Sequence, residues 1–394
     1  MRLSRPRPII FFNARILGEK GVVASSIRVE GSRVAALDCS PGPDDIAVDL
    51  RGDLVLPGFI NAHDHLELNN FPRLKWRERY DNVREWIADF QPRFKADTVL
   101  VSGISVPIED RLLIGGIKNL LSGVTTVCHH NPLHASLRRN FPVRVVTRLG
   151  YCHSLLLDGE EARRVYHQTP RTWPWIIHAA EGTDEEAQKE LDRLMELGCV
   201  GPNTVLVHAV GLGQEARELL HRAGGAIVWC PSSNYYLLGA TADVSDLARA
   251  GRVALGTDSR LSGGRDMLSE IRIAAETKQV GAQSILRMVT VDAARILRLH
   301  DSGILREGAF ADLMVLPGRR VNPFDDVLEA DRSGIRLVLM GGRAQIADMD
   351  LLQVFAATRV KTAEVRLDGR RKAMAASLVE GLRRIQVREP GLEW

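Results

Sequence analysis

The sequence predicts an α/β protein, a (β/α)8 TIM-like barrel beside a small β-sandwich domain built from both ends of the chain. Three observations predict it. Apolar runs of strand length alternate with helix-period segments from Leu54 to Leu299, roughly 240 residues, which suits eight repeats of one parallel unit. Short strands without helices between them fill the chain before Leu56, and strand character returns after Leu299. Four of the intervening apolar runs lead to a histidine or an aspartate at their C-terminal ends.

The N-terminal strands are expected at Ile9 to Phe12, Ser26 to Val29, Val34 to Leu37 and Ile46 to Leu50, punctuated by Gly21, Gly31 and Pro41-Gly42-Pro43. Leu54-Val55-Leu56 opens the alternating region. Trp175-Ile176-Ile177 leads into a helix expected from Thr183 to Leu197. Thr183 and Glu186 have capping-box spacing, Leu191 and Leu194 share a face, and Gly198 is a stop. Val205-Leu206-Val207 precedes a helix around Glu215 to Arg222; Ala226 to Trp229 and Val253 to Leu255 are further strands. Asp312 to Leu316 and Ile335 to Met340 return to β character. The expected division is therefore 1–56 plus 303–350 as a composite β domain, 57–302 as the barrel, and 351–394 as a largely helical extension.

The bulk numbers agree with one large domain and a smaller one. Of 394 residues, 45% are hydrophobic and 26% charged, ordinary for a globular chain with a sizeable core. Net charge is +3, from 52 basic against 49 acidic residues, and the basic residues are dispersed. Neither nucleic acid nor a membrane surface is expected as partner. The chain starts basic (Arg2, Arg5, Arg7), but Ile9-Ile10-Phe11-Phe12 is too short for a signal-peptide core. No stretch approaches the ~20 apolar residues of a membrane span. Five cysteines, at 39, 128, 152, 199 and 230, are scattered without a C-x-x-C pair. They read as reduced thiols of a cytoplasmic protein.

His63 and His65 follow Leu54-Val55-Leu56 and Pro57-Gly58-Phe59-Ile60, His178 closes Trp175-Ile176-Ile177, His208 closes Val205-Leu206-Val207, and Asp258 follows Val253-Ala254-Leu255. In a β/α barrel such strand ends converge on one face. Residues i and i+2 of an extended segment point the same way, so His63 and His65 can grip one ion. Three imidazoles and a carboxylate with room for a water suit an open Zn²⁺ or Fe²⁺ site, where water can ionise near pH ~7.

Pro57-Gly58-Phe59-Ile60-Asn61-Ala62-His63-Asp64-His65, Gly123-Val124-Thr125-Thr126, His178-Ala179-Ala180-Glu181, Leu206-Val207-His208-Ala209, Cys230-Pro231-Ser232-Ser233-Asn234, Gly256-Thr257-Asp258-Ser259 and Gly308-Ala309-Phe310-Ala311-Asp312-Leu313 stand in order. The chain up to about Gly342 resembles the amidohydrolase superfamily, in particular its aminohydrolases and chlorohydrolases of nitrogen heterocycles. The resemblance implies that His63, His65, His178 and Asp258 hold one divalent metal, zinc or iron. It implies that Glu181 shuttles protons to the leaving nitrogen and that His208 hydrogen-bonds the attacking water or the developing oxyanion. Asp258 would also accept a proton. Two-metal relatives use a bridging carboxylate, often a carbamylated lysine. No lysine lies between Lys118 and Lys189, so one metal is favoured. The implied reaction is hydrolysis of a carbon–nitrogen bond other than a peptide bond, with deamination ahead of cyclic-amide hydrolysis or chloride displacement; a non-catalytic metal-binding barrel would have no use for Glu181 and His208. A small-molecule substrate is implied, and a homodimer by analogy alone.

Substrate contacts are expected from Glu67, two positions beyond His65, and from His129, His130 and His153 at apparent strand ends. Asn234, Tyr235 and Arg260 join them for the same reason, the arginine as a binder of a substrate carboxylate or phosphate. The basic and aromatic stretch Phe71 to Tyr80 is expected to form a long loop over the site rather than a nucleic-acid patch.

Overall fold

The computed structural model describes residues 7–394. Arg2 and Arg5 of the basic start, and the first six residues of the expected 1–56 segment, lie outside the described residues. Eight parallel strands form the interior. Phe59–Asp64, Val124–His129 and Arg144–Val145 make a three-stranded sheet, with Val124–His129 in the centre. Gly150–Ser154, Trp175–Ala179, Thr204–His208, Ala226–Trp229 and Val253–Leu255 make a five-stranded sheet in chain order. Phe59–Asp64 and Thr204–His208 are buried at every residue, as parallel strands covered on both faces are. The two sheets meet where the Asp258 N–H donates to the His63 carbonyl at 3.1 Å.

Two further sheets are mainly antiparallel. One runs Arg33–Leu37, Ile27–Glu30, Ile9–Phe12, Ile46–Asp49. The other has nine strands and joins distant parts of the chain: Leu54–Pro57 pairs with Leu313–Leu316, which pairs with Leu337–Met340. Leu54-Val55-Leu56 therefore belongs to this sheet and not to the interior strands. Pro57 and Gly58 make the transition, the Gly58 N–H donating to the Asp312 carbonyl at 2.9 Å, and the next strand carries His63.

Three expectations are corrected. The 351–394 segment is not largely helical. It has helices at Leu352–Thr358 and Ala376–Arg383, but Thr362–Leu367, Arg370–Ala375 and Leu392–Glu393 are strands of the nine-stranded sheet. The hairpin turns at Asp368-Gly369, both at positive φ (48° and 83°), the geometry a two-residue Asp-Gly turn favours. Arg15–Gly18 and Gly21–Ala24 are strands that were not anticipated. The single helix expected at 183–197 is two, Glu185–Gln188 and Glu190–Glu196. The first is capped by Asp184, whose carboxylate accepts the Ala187 N–H, rather than by Thr183. Among the described residues no helix is long and apolar enough to cross a membrane.

Candidate metal centre and active site

The ends of four parallel strands bring the expected residues together. His63 Nε2 lies 3.2 Å from His178 Nε2, His65 Nε2 lies 3.4 Å from His178 Nε2, and His65 Nε2 lies 3.8 Å from Asp258 Oδ1. Gly256 allows this approach, since a Cβ there would sit 2.7 Å from the His63 Cβ. Four non-glycine residues around the centre have left-handed backbone: Ala180 (φ 53°), His208 (72°), Ala209 (55°) and Asp258 (50°). Hydrogen bonds hold them there: Ala209 N–H to Ala179 O at 3.1 Å, Gly211 N–H to Ala180 O at 2.8 Å.

Partners behind the rings set their tautomers. His178 Nδ1 is 2.6 Å from the His153 carbonyl, so Nδ1 carries the proton and Nε2 presents a lone pair. His130 Nε2 faces the Cys152 carbonyl at 2.8 Å, so its Nδ1 accepts from His63 Nδ1–H at 3.1 Å. His63 Nε2 is thereby left with a lone pair aimed at His178. Burial, reinforced by the neighbouring imidazoles, pushes His63, His178 and His130 well below the usual histidine range. Two neutral acceptors at 3.2 Å repel unless a cation lies between them. Nitrogens ~2.0–2.1 Å from a tetrahedral zinc stand roughly 3.3 Å apart, so His63, His65, His178 and Asp258 fit a divalent ion.

Asp258 is buried, which pushes its carboxyl up, but His65, His208 and the Ser262 and Ser233 hydroxyls (2.7 and 2.8 Å) hold it below the usual carboxylate range. Glu181 is pushed up to about 7 by burial, opposed by His208 and reinforced by Asp258. Its Oε1 is 3.6 Å from His208 Nε2. His208 Nδ1 donates to Asn234 Oδ1 at 2.8 Å, turning Nε2 toward Glu181.

These groups open into a cavity of about 290 Å³, lined by His65, His178, Glu181, His208 and Asp258 and by apolar walls including Trp86, Ile87 and Leu261. A larger groove of about 850 Å³ is lined by Arg319, Arg320, Asp325 and Glu329; it holds none of the converging histidines.

Of the residues expected to touch substrate, only His153 lines the cavity. His130 and Asn234 stand behind His63 and His208 as orienting partners. His129 is buried, its Nδ1 accepting the Leu66 N–H at 3.3 Å. Glu67 hydrogen-bonds Asn131, and it is Asn131 that reaches the cavity. Tyr235 is 43% exposed. Arg260 is turned away: its guanidinium makes two bonds to Glu389, at 2.8 and 2.7 Å. It has a fixed carboxylate partner inside the protein and is not placed to bind one on a substrate. Sequence reasoning missed Trp86, whose helix Val83–Arg93 follows the expected covering loop. Its signal was the apolar triad Val83, Trp86, Ile87 at helical spacing directly after that loop.

Glu270 supports this region from behind. Burial pushes it up to about 8, against the Ser232 N–H (2.8 Å), Lys118 and Arg73, which act the other way. Between the ordinary carboxyl value of ~4.3 and about 8, the folded state holds a proton that the unfolded chain has lost. Its stabilising contribution is thus complete at low pH and is lost as pH rises through that window. Urea denaturation of Glu270→Gln at pH 5 and pH 8 should show a smaller loss of stability over this range than the native protein shows; equal losses would refute the assignment.

Fold and site together define a hydrolytic enzyme that works with a divalent metal. Residues 174–344 match the amidohydrolase family model. It is 27% identical over 391 residues to the 5-methylthioadenosine/S-adenosylhomocysteine deaminase of Desulfitobacterium hafniense, spanning 86% of this chain and 90% of that one. In structure it is similar to an adenosine deaminase from Xanthomonas campestris with bound zinc (TM-score 0.71, 20% identity, 90% of this chain and 98% of that one). A zinc complex of atrazine chlorohydrolase from Arthrobacter aurescens is comparable (TM-score 0.70, 18% identity, 89% and 99%). These last two likenesses concern the fold.

Proposed function

We propose that this chain is a single-metal aminohydrolase that removes an amino or imino group from a small nitrogen heterocycle or amidine. The observation that carries the reading is Glu181. It is a buried carboxyl at about 7, 3.6 Å from His208, in a cavity shared with four histidines and Asp258. In this reading His63, His65, His178 and Asp258 hold the ion, zinc ahead of iron, in keeping with the zinc-bound structural neighbours. The eight parallel strands close as a barrel over 57–302, and the two antiparallel sheets pack as a β-sandwich that takes in 351–394.

The ion, when bound, polarises water so that it ionises near pH ~7. In deamination a carbon–oxygen bond forms to the ring or amidine carbon, the carbon–nitrogen bond breaks, and ammonia departs with a proton it did not carry. Glu181 titrates near neutrality, so its carboxyl can take a proton from the attacking water and pass it to the departing nitrogen. Asp258, held as a carboxylate by His65, His208 and two serine hydroxyls, accepts a second proton, which returns to the remaining nitrogen of the product. His208, anchored by Asn234 through Nδ1–H, accepts a hydrogen bond from the attacking water at Nε2 and, once Nε2 has taken a proton, donates to the oxygen that develops charge. Lys118 is bound to Asp64, Asn69 and Thr257 and is not free to form a carbamate bridge, which supports one metal. A second reading, displacement of a leaving group other than ammonia, draws on the chlorohydrolase neighbour.

Metal analysis joined to an ammonia-release screen over purines, pyrimidines, pterins, amidines and guanidines tests the proposal. One divalent ion per chain is expected, with ammonia release that a chelator stops and re-added metal restores. Turnover indifferent to the chelator would overturn it.

A further inference from the structure

We propose that Lys118 is a positioning residue, a buried cationic tie that sets the spacing between the two halves of the metal centre. This rests on the metal reading above. Lys118 lies in the helix Ile108–Leu121, away from every motif that carries the chemistry, and its side chain has no exposure. A lysine buried to that degree is rare unless it is paired. Its ammonium reaches in two directions. On one side it contacts Asp64 Oδ2 at 3.2 Å and Asn69 Oδ1 at 2.7 Å. Asp64 is the residue between His63 and His65, so this contact fixes the pair of ligands on the first strand. On the other side Lys118 donates to Thr257 Oγ1 at 3.0 Å and to the Asp258 carbonyl at 3.3 Å, which grips the turn that carries the fourth ligand.

Asp64 is paired with His129 in the strand ladder, but the turn that carries Asp258 lies beyond its own strand, Val253–Leu255. Asp258 has left-handed backbone, and among the described residues its backbone is linked to the first strand by its N–H bond to His63 O. The Asp64 carboxylate collects the rest of the tie: Asn119 Nδ2 at 2.8 Å, Thr257 Oγ1 at 3.2 Å and, on its other oxygen, Asn69 Nδ2 at 2.8 Å. A lysine is suited to the place because a tetrahedral ammonium can serve acceptors on both sides at once. An apolar core residue could fill the volume but could not donate to both Asp64 and the Asp258 carbonyl.

The experiment separates a tie from a buried ion pair. The full-length Lys118→Met and Lys118→Met/Asp64→Asn chains are compared with the native one by chelator competition for zinc and by thermal unfolding of the metal-free proteins. The double variant removes both charges, so a folded chain without an uncompensated carboxylate is expected. Both variants should bind zinc about 10- to 100-fold more weakly, the usual range for residues that orient metal ligands. Should neither fold, Thr257→Val, which keeps the ion pair and removes only the hydroxyl link, is expected to weaken zinc by the same mechanism. Native affinity in the folded double variant, or in Thr257→Val, would overturn the proposal. A native protein that binds no zinc would overturn the metal reading as well and is recognised at the first titration.

Discussion

Glu181→Gln is expected to lower ammonia release by about 10²–10⁴-fold, the range that general acid–base groups supply, with the metal content unchanged. The substitution keeps size and shape. Glu181 is not among the four residues that fit the ion, so a loss of rate alone isolates its proton chemistry. What disappears is a group that titrates near neutrality, at about 7, because burial penalises its charge. The direction with pH follows. As the acceptor of the first proton, Glu181 acts in its ionised form, so kcat/KM in the native enzyme should rise with pH through about 7 and then level. Glutamine cannot ionise, and the residual activity of the variant should lack that rise. Unchanged turnover would remove Glu181 from the mechanism and leave His208 and Asp258 to move the protons.

Glu389→Ala is expected to destabilise the fold by about 3–5 kcal/mol, the effect of removing one partner from a buried charged network. Glu389 has no side-chain exposure and faces two arginines: Arg260 through two bonds, and Arg332 through Nη1 at 2.6 Å. The two do not suffer equally. Arg332 retains Asp368 at 2.9 and 3.1 Å, whereas the Arg260 guanidinium retains, among the described residues, the Arg265 carbonyl alone. Most of the loss should therefore come from Arg260, and Glu389→Ala/Arg260→Met should recover much of it. Urea denaturation of the three chains measures this; a shift below about 1 kcal/mol would place the pair among those that contribute little.

The four residues proposed to hold the metal could be singled out in the sequence because each depends on a local fact, an apolar run that ends in a histidine or an aspartate. Strand and helix periods along 57–302 were legible for the same reason. Arg260 was not, because its partner lies 129 residues further on and no local pattern announces a long-range ion pair. His130 and Asn234 were placed at the right strand ends but on the wrong layer. Whether a side chain at such an end meets substrate or props a ligand is decided by ring orientation and the carbonyl behind it, as with Cys152 behind His130. The 351–394 segment misled because its leucines and alanines carry helix propensity. The Asp368-Gly369 turn was the overlooked contrary signal, and pairing with Arg343–Asp348 overrides propensity there.

The left-handed residues at Ala180, His208, Ala209 and Asp258 bear on how such an enzyme could be made hardier or turned to new substrates. Each is a local conformation of order 1–3 kcal/mol above the relaxed chain, so a search for thermal tolerance would be drawn to glycine at Ala180 or Ala209. Glycine there would relieve the strain and free the backbone that aims Glu181 and His208, exchanging rate for robustness. Adaptation to another substrate meets no such conflict at Trp86 or Leu261, which stand on the walls of the cavity. The molecule thus separates a frame that resists change from a wall that tolerates it.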